Sequence, residues 1–130
     1  MSGKILLDSN IIIYLSKGEL NIDKLFDDKK KYFISVITYM ETLGFQFETL
    51  NEKKFIQQIL AVFKVIYIDK QIADKVVEIR QHKKIKLPDA IIAATAMVRK
   101  CDLMTRNIND FNNIDDSLNV LNPFVINQRG

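Results

Sequence analysis

The run Lys4-Ile5-Leu6-Leu7-Asp8-Ser9-Asn10 decides how this chain is read. Three aliphatic residues in a row after a lysine predict a short strand buried on both faces, and the run stops on a carboxylate followed by two small polar residues. Strands buried on both faces belong to parallel sheets, which collect ligands in the crevice outside the carboxyl ends of their strands. Asp8 is therefore a candidate functional residue mounted on a rigid element. Asp, Ser and Asn also lead at helix N-caps, so the same run is compatible with a purely structural Asp8.

Downstream, Ile11-Ile12-Ile13-Tyr14-Leu15 is too uniformly apolar for a surface helix and predicts a buried one over residues 9–16, ending at Lys17-Gly18. Leu20, Leu25 and Phe26 form a short amphipathic piece, and Lys29-Lys30-Lys31 a polar connection. Residues 32–36 read as a second strand that runs into a helix, with Met40, Leu43, Gly44 and Phe47 on its apolar face and Glu41 on the flank of that face. Phe45 and Phe47 are expected in the core, with a subunit interface as the alternative. The next helix carries Phe55, Ile56, Ile59, Leu60 and Phe63 on one stripe and starts near Asn51 without a full capping box. Residues 65–68 predict a third strand, and Asp69 caps a helix bearing Ile72, Ala73, Val76, Val77 and Arg80. Pro88 suits the first helical position, Asp89 the first turn, and the alanine-rich run to Val98 a buried helix. Residues 102–105 predict a fourth strand, followed by a turn or short helix anchored by Phe111 and Ile114. Residues 120–124 predict a fifth, edge strand closed by Pro123, and residues 125–130 a frayed tail. Strand and helix alternate throughout, which predicts an α/β fold with a mainly parallel sheet of about five strands.

At 130 residues the chain fits one domain over 1–130, and its 48% hydrophobic and 27% charged residues match a water-soluble globular protein. No apolar run reaches the roughly 20 residues of a membrane span, and the first one ends at Asp8, unlike a signal peptide. The expected location is the cytoplasm. A single Cys101 excludes a disulfide framework and a cysteine-rich zinc site. A single His82 in a lysine-flanked stretch reads as a surface residue, which leaves no imidazole for metal-free RNA cleavage or serine-type hydrolysis. The net charge of +3 permits a polyanionic substrate without requiring one.

The remaining chemistry lies in acids. Asp8, Glu41 and Asp110 follow predicted strands by a few residues and Asp89 opens a buried helix, so a parallel sheet can gather all four at one end. Two carboxylates about 4 Å apart repel by about 4 kcal/mol at an effective dielectric near 20, and a cation relieves that repulsion. With only oxygen ligands the expected ion is hard and octahedral, Mg2+ with Mn2+ as a substitute, rather than zinc.

Leu7-Asp8-Ser9-Asn10, residues 35–44 (SVITYMETLG), residues 87–96 (LPDAIIAATA) and residues 104–111 (MTRNINDF) together resemble the ordered motifs of PIN-domain ribonucleases, especially toxins of the VapC type. The resemblance spans nearly the whole chain. It implies a three-layer α/β/α domain and a magnesium-dependent endoribonuclease in which a metal-activated water yields 5′-phosphate and 3′-hydroxyl ends. Asp8, Glu41 and Asp89 match the family's first three acids, and Asp110 the fourth in one variant of the last motif. Many relatives have an aspartate where this chain has Asn107, a departure that leaves an amide without charge at that position. Asn10 and Thr105 match positions that support the acids. The resemblance further implies RNA as substrate, with Lys83, Lys84, Lys86 and Arg106 as candidates to receive its backbone, a cognate antitoxin covering the acidic groove, and a homodimer. Two other readings remain: a PIN-like module that binds RNA or protein without cutting, and a phosphatase using Asp8 as nucleophile, for which Asn10 stands where a second aspartate is wanted.

Overall fold

The computed structural model of the chain describes residues 3–124, so the expected tail at 125–130 lies outside the described residues. Lys4–Leu7 forms β1, Ser9–Ser16 α1, Ile22–Leu25 α2, Lys31–Ser35 β2, Val36–Leu43 α3 and Leu50–Leu60 α4. Lys64–Ile66 follows as β3, Lys70–His82 as α5, Leu87–Arg99 as α6, Asp102–Met104 as β4 and Val120–Leu121 as β5. The five strands make one sheet in the order β3-β2-β1-β4-β5, and every pairing is parallel.

The alternation of side chains along β1 splits the core in two. Leu6 packs on one face with Ile72, Val76 and Ile79 of α5, the alanines of α6 and Leu103 of β4. Ile5 and Leu7 pack on the other with Ile11, Ile12 and Leu15 of α1 and Ile56, Ile59 and Leu60 of α4. Helices thus cover both faces, giving the three-layer α/β/α architecture that a strand buried on both sides demands. Residues Ala90 to Ala96 of α6 are all buried, where small side chains bring the helix close against the sheet. Helix α1 ends as expected, with Gly18 at a φ of +73° that suits glycine.

Several local expectations are corrected. Ser35 belongs to β2 but caps α3, its hydroxyl accepting from the Ile37 N–H, so the helix begins at Val36 and presents Thr38 and Thr42 inward. Met40 consequently faces solvent, 51% exposed, although the spacing placed it on the apolar face. The inner threonines are tolerated because Thr42 Oγ1 donates to the Thr38 carbonyl at 2.7 Å, meeting its polar requirement within the helix. Phe45 is not in the core: α3 stops at Leu43, and the ring stands 68% exposed, edge-on to the half-buried Phe47. Helix α4 does have an organised start, earlier than expected. Thr49 accepts from Glu52 N–H at 3.1 Å while the Glu52 carboxylate accepts from Glu48 N–H at 3.3 Å, close to a capping box displaced by one residue. Phe55 lies outside its buried stripe, and in α5 Ile79 rather than Val77 faces the core. Strand β5 is shorter than expected, ending at Leu121.

The functional consequence is positional. The strand order reverses between β1 and β4, the switch point at which doubly wound sheets bind ligands. Asp8 and Thr105 are the residues immediately beyond these two strands, joined by an Asp8 N–H to Met104 carbonyl bond of 2.9 Å.

Candidate active site

Asp8 is 8% exposed and its carboxylate is held by three donors. Oδ1 accepts from Ser9 N–H at 2.8 Å, and Oδ2 accepts from Thr105 Oγ1 at 2.9 Å and from Asn10 Nδ2 at 3.2 Å. The residue thus caps α1 and also faces the switch point; the two roles are compatible. A carboxylate offers about four acceptor sites, so three donors leave one direction on Oδ1 open.

Thr105, fully buried, organises this corner. Its hydroxyl donates to Asp8 and accepts from Asn10 Nδ2 and Asn107 N–H, both at 3.1 Å, which uses its one proton and both lone pairs. Asn10 completes the loop by accepting from Arg106 N–H at 3.2 Å. A strand-end residue, a helix residue and the loop after β4 are thereby locked together.

Glu41 reaches the site from the second turn of α3. Its Oε1 accepts from Ser9 Oγ at 2.8 Å, and that hydroxyl lies 3.3 Å from Thr38 Oγ1. Ser9 and Thr38 were not picked out in the sequence as site residues. The three-residue spacing from Thr38 to Glu41 on one helix was the available signal. Asp89 is half-buried in the first turn of α6, while Asp110 is exposed in a 3-10 turn, Ile108–Asp110.

Electrostatics tie the four acids together. Burial pushes the Asp8 carboxyl above its ordinary pKa, against the pull of Thr105 and Ser9, and the charges of Asp89 and Glu41 add to the rise. Burial likewise raises Asp89, with the charges of Asp110 and Glu41 in support and Lys86 opposing. Asp89 links the set, since the charges of Asp110 and Glu41 act on it and its own charge acts on Asp8. Among the described residues, however, no three acids, histidines or cysteines lie close enough to share an ion directly. The donor set still fits magnesium, which keeps several waters and takes only one or two carboxylates itself.

The basic candidates are placed unevenly. Lys84 and Lys86 are exposed, and Lys86 lies near enough to Asp89 to lower its pKa. Lys83 is tethered through Nζ to the Asn112 carbonyl. The Arg106 guanidinium rests over the rings of Phe124 and Tyr14, 4.4 and 5.1 Å from their centres. Asn107 is exposed; its backbone N–H donates to Thr105 Oγ1 and its carbonyl accepts from Asp110 N–H, both at 3.1 Å, while its side chain makes no hydrogen bond among the described residues.

Two hollows flank the acids. One, about 590 Å³, runs between α1, α3 and α4 and joins Ser9, Asn10 and Glu41 to the apolar Ile13, Phe45 and Phe55. The other, about 520 Å³, lies on the opposite flank, beside Asp110.

A family model described as PIN domain matches residues 5–117. A chain of a toxin-antitoxin complex from Klebsiella pneumoniae is 34% identical, with a TM-score of 0.74 over 92% of this chain and 97% of that one. FitAcB from Neisseria gonorrhoeae gives 26% identity and a TM-score of 0.75 over 92% and 98% of the two chains. VapBC2 from Rickettsia felis, bound to a DNA fragment from its promoter, gives a TM-score of 0.79 at 20% identity, again over 92% and 98%, a likeness of fold. No curated protein matches the chain.

Proposed function

Because the chain belongs to the PIN domain family, we propose that it is a metal-dependent endoribonuclease, the toxin of a toxin-antitoxin pair, acting in the cytoplasm as one domain over residues 1–130. The observation that carries this reading is the coupling of Asp8, Glu41, Asp89 and Asp110 beyond the ends of β1 and β4, where burial first and then the charges of neighbouring acids push the Asp8 and Asp89 carboxyls up. Such an arrangement is costly without a cation and suited to one.

Asp8 and Asp89 would hold Mg2+, or Mn2+ in its place, with Glu41 and Asp110 reaching it through water. When bound, the ion supplies a Lewis acid for the phosphodiester and lowers the pKa of a water. The chain's own residues do the rest. Thr105 and Asn10 fix the Asp8 carboxylate, so its open acceptor site points in one direction. Ser9 holds one Glu41 oxygen and leaves the other to orient the attacking water. Asn107 and Asp110 bound the opposite side, and Lys84 and Lys86 receive phosphates of the RNA.

The partner proteins follow from the surface. The apolar groove beside Glu41 suits a peptide with aliphatic or aromatic anchors, and the similar chain found in a toxin-antitoxin complex supports an antitoxin as the partner that supplies it. Tyr39 and Met40, large and exposed on the outer side of α3, support a homodimer.

The uncharged Asn107 favours one second reading, a module that binds RNA without cutting it. Purified wild type, Asp8→Asn and Asp89→Asn, each given RNA with Mg2+ and then with excess chelator, separate the two. The nuclease reading expects cutting by wild type that chelator stops and that either variant reduces by more than about a hundredfold. Tight RNA binding with no metal-dependent cutting selects the module.

A further inference from the structure

The hollow beside Asp110 differs in chemistry from the apolar groove. It is lined by Arg106, Asn107, Ile108, Asn109, Asp110 and Asn122, so carboxamides make up half of the lining and Ile108 is its one apolar member. These amides have capacity to spare. The Asn107 side chain makes no hydrogen bond among the described residues. Asn109 Oδ1 meets Asn112 Nδ2 only at 3.5 Å, and Asn122 Oδ1 accepts from Phe124 N–H at 3.0 Å, which leaves the NH2 groups of Asn109 and Asn122 without partners among the described residues. Arg106 is exposed and takes part in no ion pair among the described residues, its guanidinium carbon lying 4.4 Å from the Phe124 ring centre and 5.1 Å from that of Tyr14.

Neutral amides have no net charge to attract a phosphate. They offer a donor and an acceptor side by side, the pattern found along the edge of a nucleobase, and asparagine makes such bidentate pairs. Single-stranded RNA exposes unstacked bases that proteins read by those edges and hold against aromatic rings or guanidinium planes. A peptide would find only Ile108 to pack on. The cleft also shares its rim with the acids: Asp110 lies in both, and Asn107 N–H donates to the hydroxyl that holds Asp8.

We propose that this cleft is a nucleobase-recognition subsite, in which Asn109 and Asn122 select the base next to the phosphate held at the acids. The proposal rests on the nuclease reading for the position of that phosphate. It makes Asn109 and Asn122 specificity residues, distinct from the acids that act on the phosphodiester.

The test compares short single-stranded RNAs that differ only in the base on either side of the cut. Wild type is expected to favour one base at one of these positions by about tenfold or more in kcat/KM. Asn109→Ala and Asn122→Ala should each narrow that preference, and the double variant should bring it to about twofold or less. Asn109→Ala serves as the cleaner variant, because Asn122 also supports the Phe124 turn. A uniform loss on all RNAs with the preference unchanged overturns the proposal, as does a wild type indifferent to both bases. A binding arm separates this outcome from failure of the nuclease reading. Asp8→Asn protein is titrated with the homotrinucleotides of A, C, G and U while the side-chain amides are followed by NMR. Selective shifts of the Asn109 and Asn122 NH2 signals with one trinucleotide support the subsite even if wild type cuts nothing. Absence of such shifts, or shifts produced only by a peptide partner, overturns it.

Discussion

Thr105 shows how much of the candidate site depends on one hydroxyl without charge. Every hydrogen-bonding site on that group is used, and its partners Asp8, Asn10 and Asn107 are the residues around which the ion would be held. Thr105→Val keeps the shape and removes the bonds, leaving three polar groups short of a partner. The expected result is a loss of about 1–3 kcal/mol in urea unfolding, together with a roughly 10- to 100-fold higher Mg2+ requirement for cleavage. A purely structural threonine would give the first effect without the second. Cys101 offers a contrast at the same scale, because burial pushes its thiol up to about 11 and it lies apart from the acids. Alkylation of the native protein at pH 8 should be far slower than in the denatured chain and should accelerate only as pH approaches that value. The acids themselves were legible in the sequence from residue type and address. The hydroxyls of Ser9 and Thr38 were not, since their role comes from contact between two helices that only the fold brings together.

Among the elements, strands and buried helices were read more faithfully than the faces of half-exposed ones. Helix α1 was placed to the residue because uniform apolarity and a terminal glycine leave few alternatives. In α3 the apolar pattern misled, since Thr38 and Thr42 pack inward while Met40 is exposed; a threonine bonded to its own helix backbone behaves as a small core residue. The loop after β4 was read correctly as anchored by Phe111, which is 1% exposed. Phe111→Ala should cost about 3–5 kcal/mol in equilibrium unfolding and should lower cleavage more than stability alone predicts, because Asp110 rides on that anchor. Helix α5 supplies a pH test. The Ile72 N–H, chiefly, and then the Arg99 charge hold the Asp69 carboxyl below its ordinary pKa. A depressed carboxylate pKa contributes stability that is present above the unfolded value and lost as pH falls through the folded one. The Tm deficit of Asp69→Ala should therefore be full near neutrality and shrink in acid below the usual carboxylate range.

For the whole molecule, a single topological fact gathers the chemistry. Acids spread from residue 8 to residue 110 come within reach of one another's charge because all five strands run parallel, so strand ends and the start of α6 share one edge. Alternation of strand and helix made that edge legible in the sequence. The hollows on either side were not legible, since one lies between three helices that only the fold packs together and the other joins residues 106–110 to Asn122 beyond β5. On the proposed reading, the apolar one suits a protein segment and the amide-lined one a base, which would set the acids between a surface for inhibition and a surface for selection. The proposed nuclease at this edge cuts RNA through a metal held by its acids. Mapping RNA ends after brief expression of wild type beside Asp8→Asn tests it most directly. New 5′-phosphate and 3′-hydroxyl ends are expected in the wild-type cells alone; the same ends in both, or none in wild type made as folded protein, would show that this edge is not a metal-dependent nuclease.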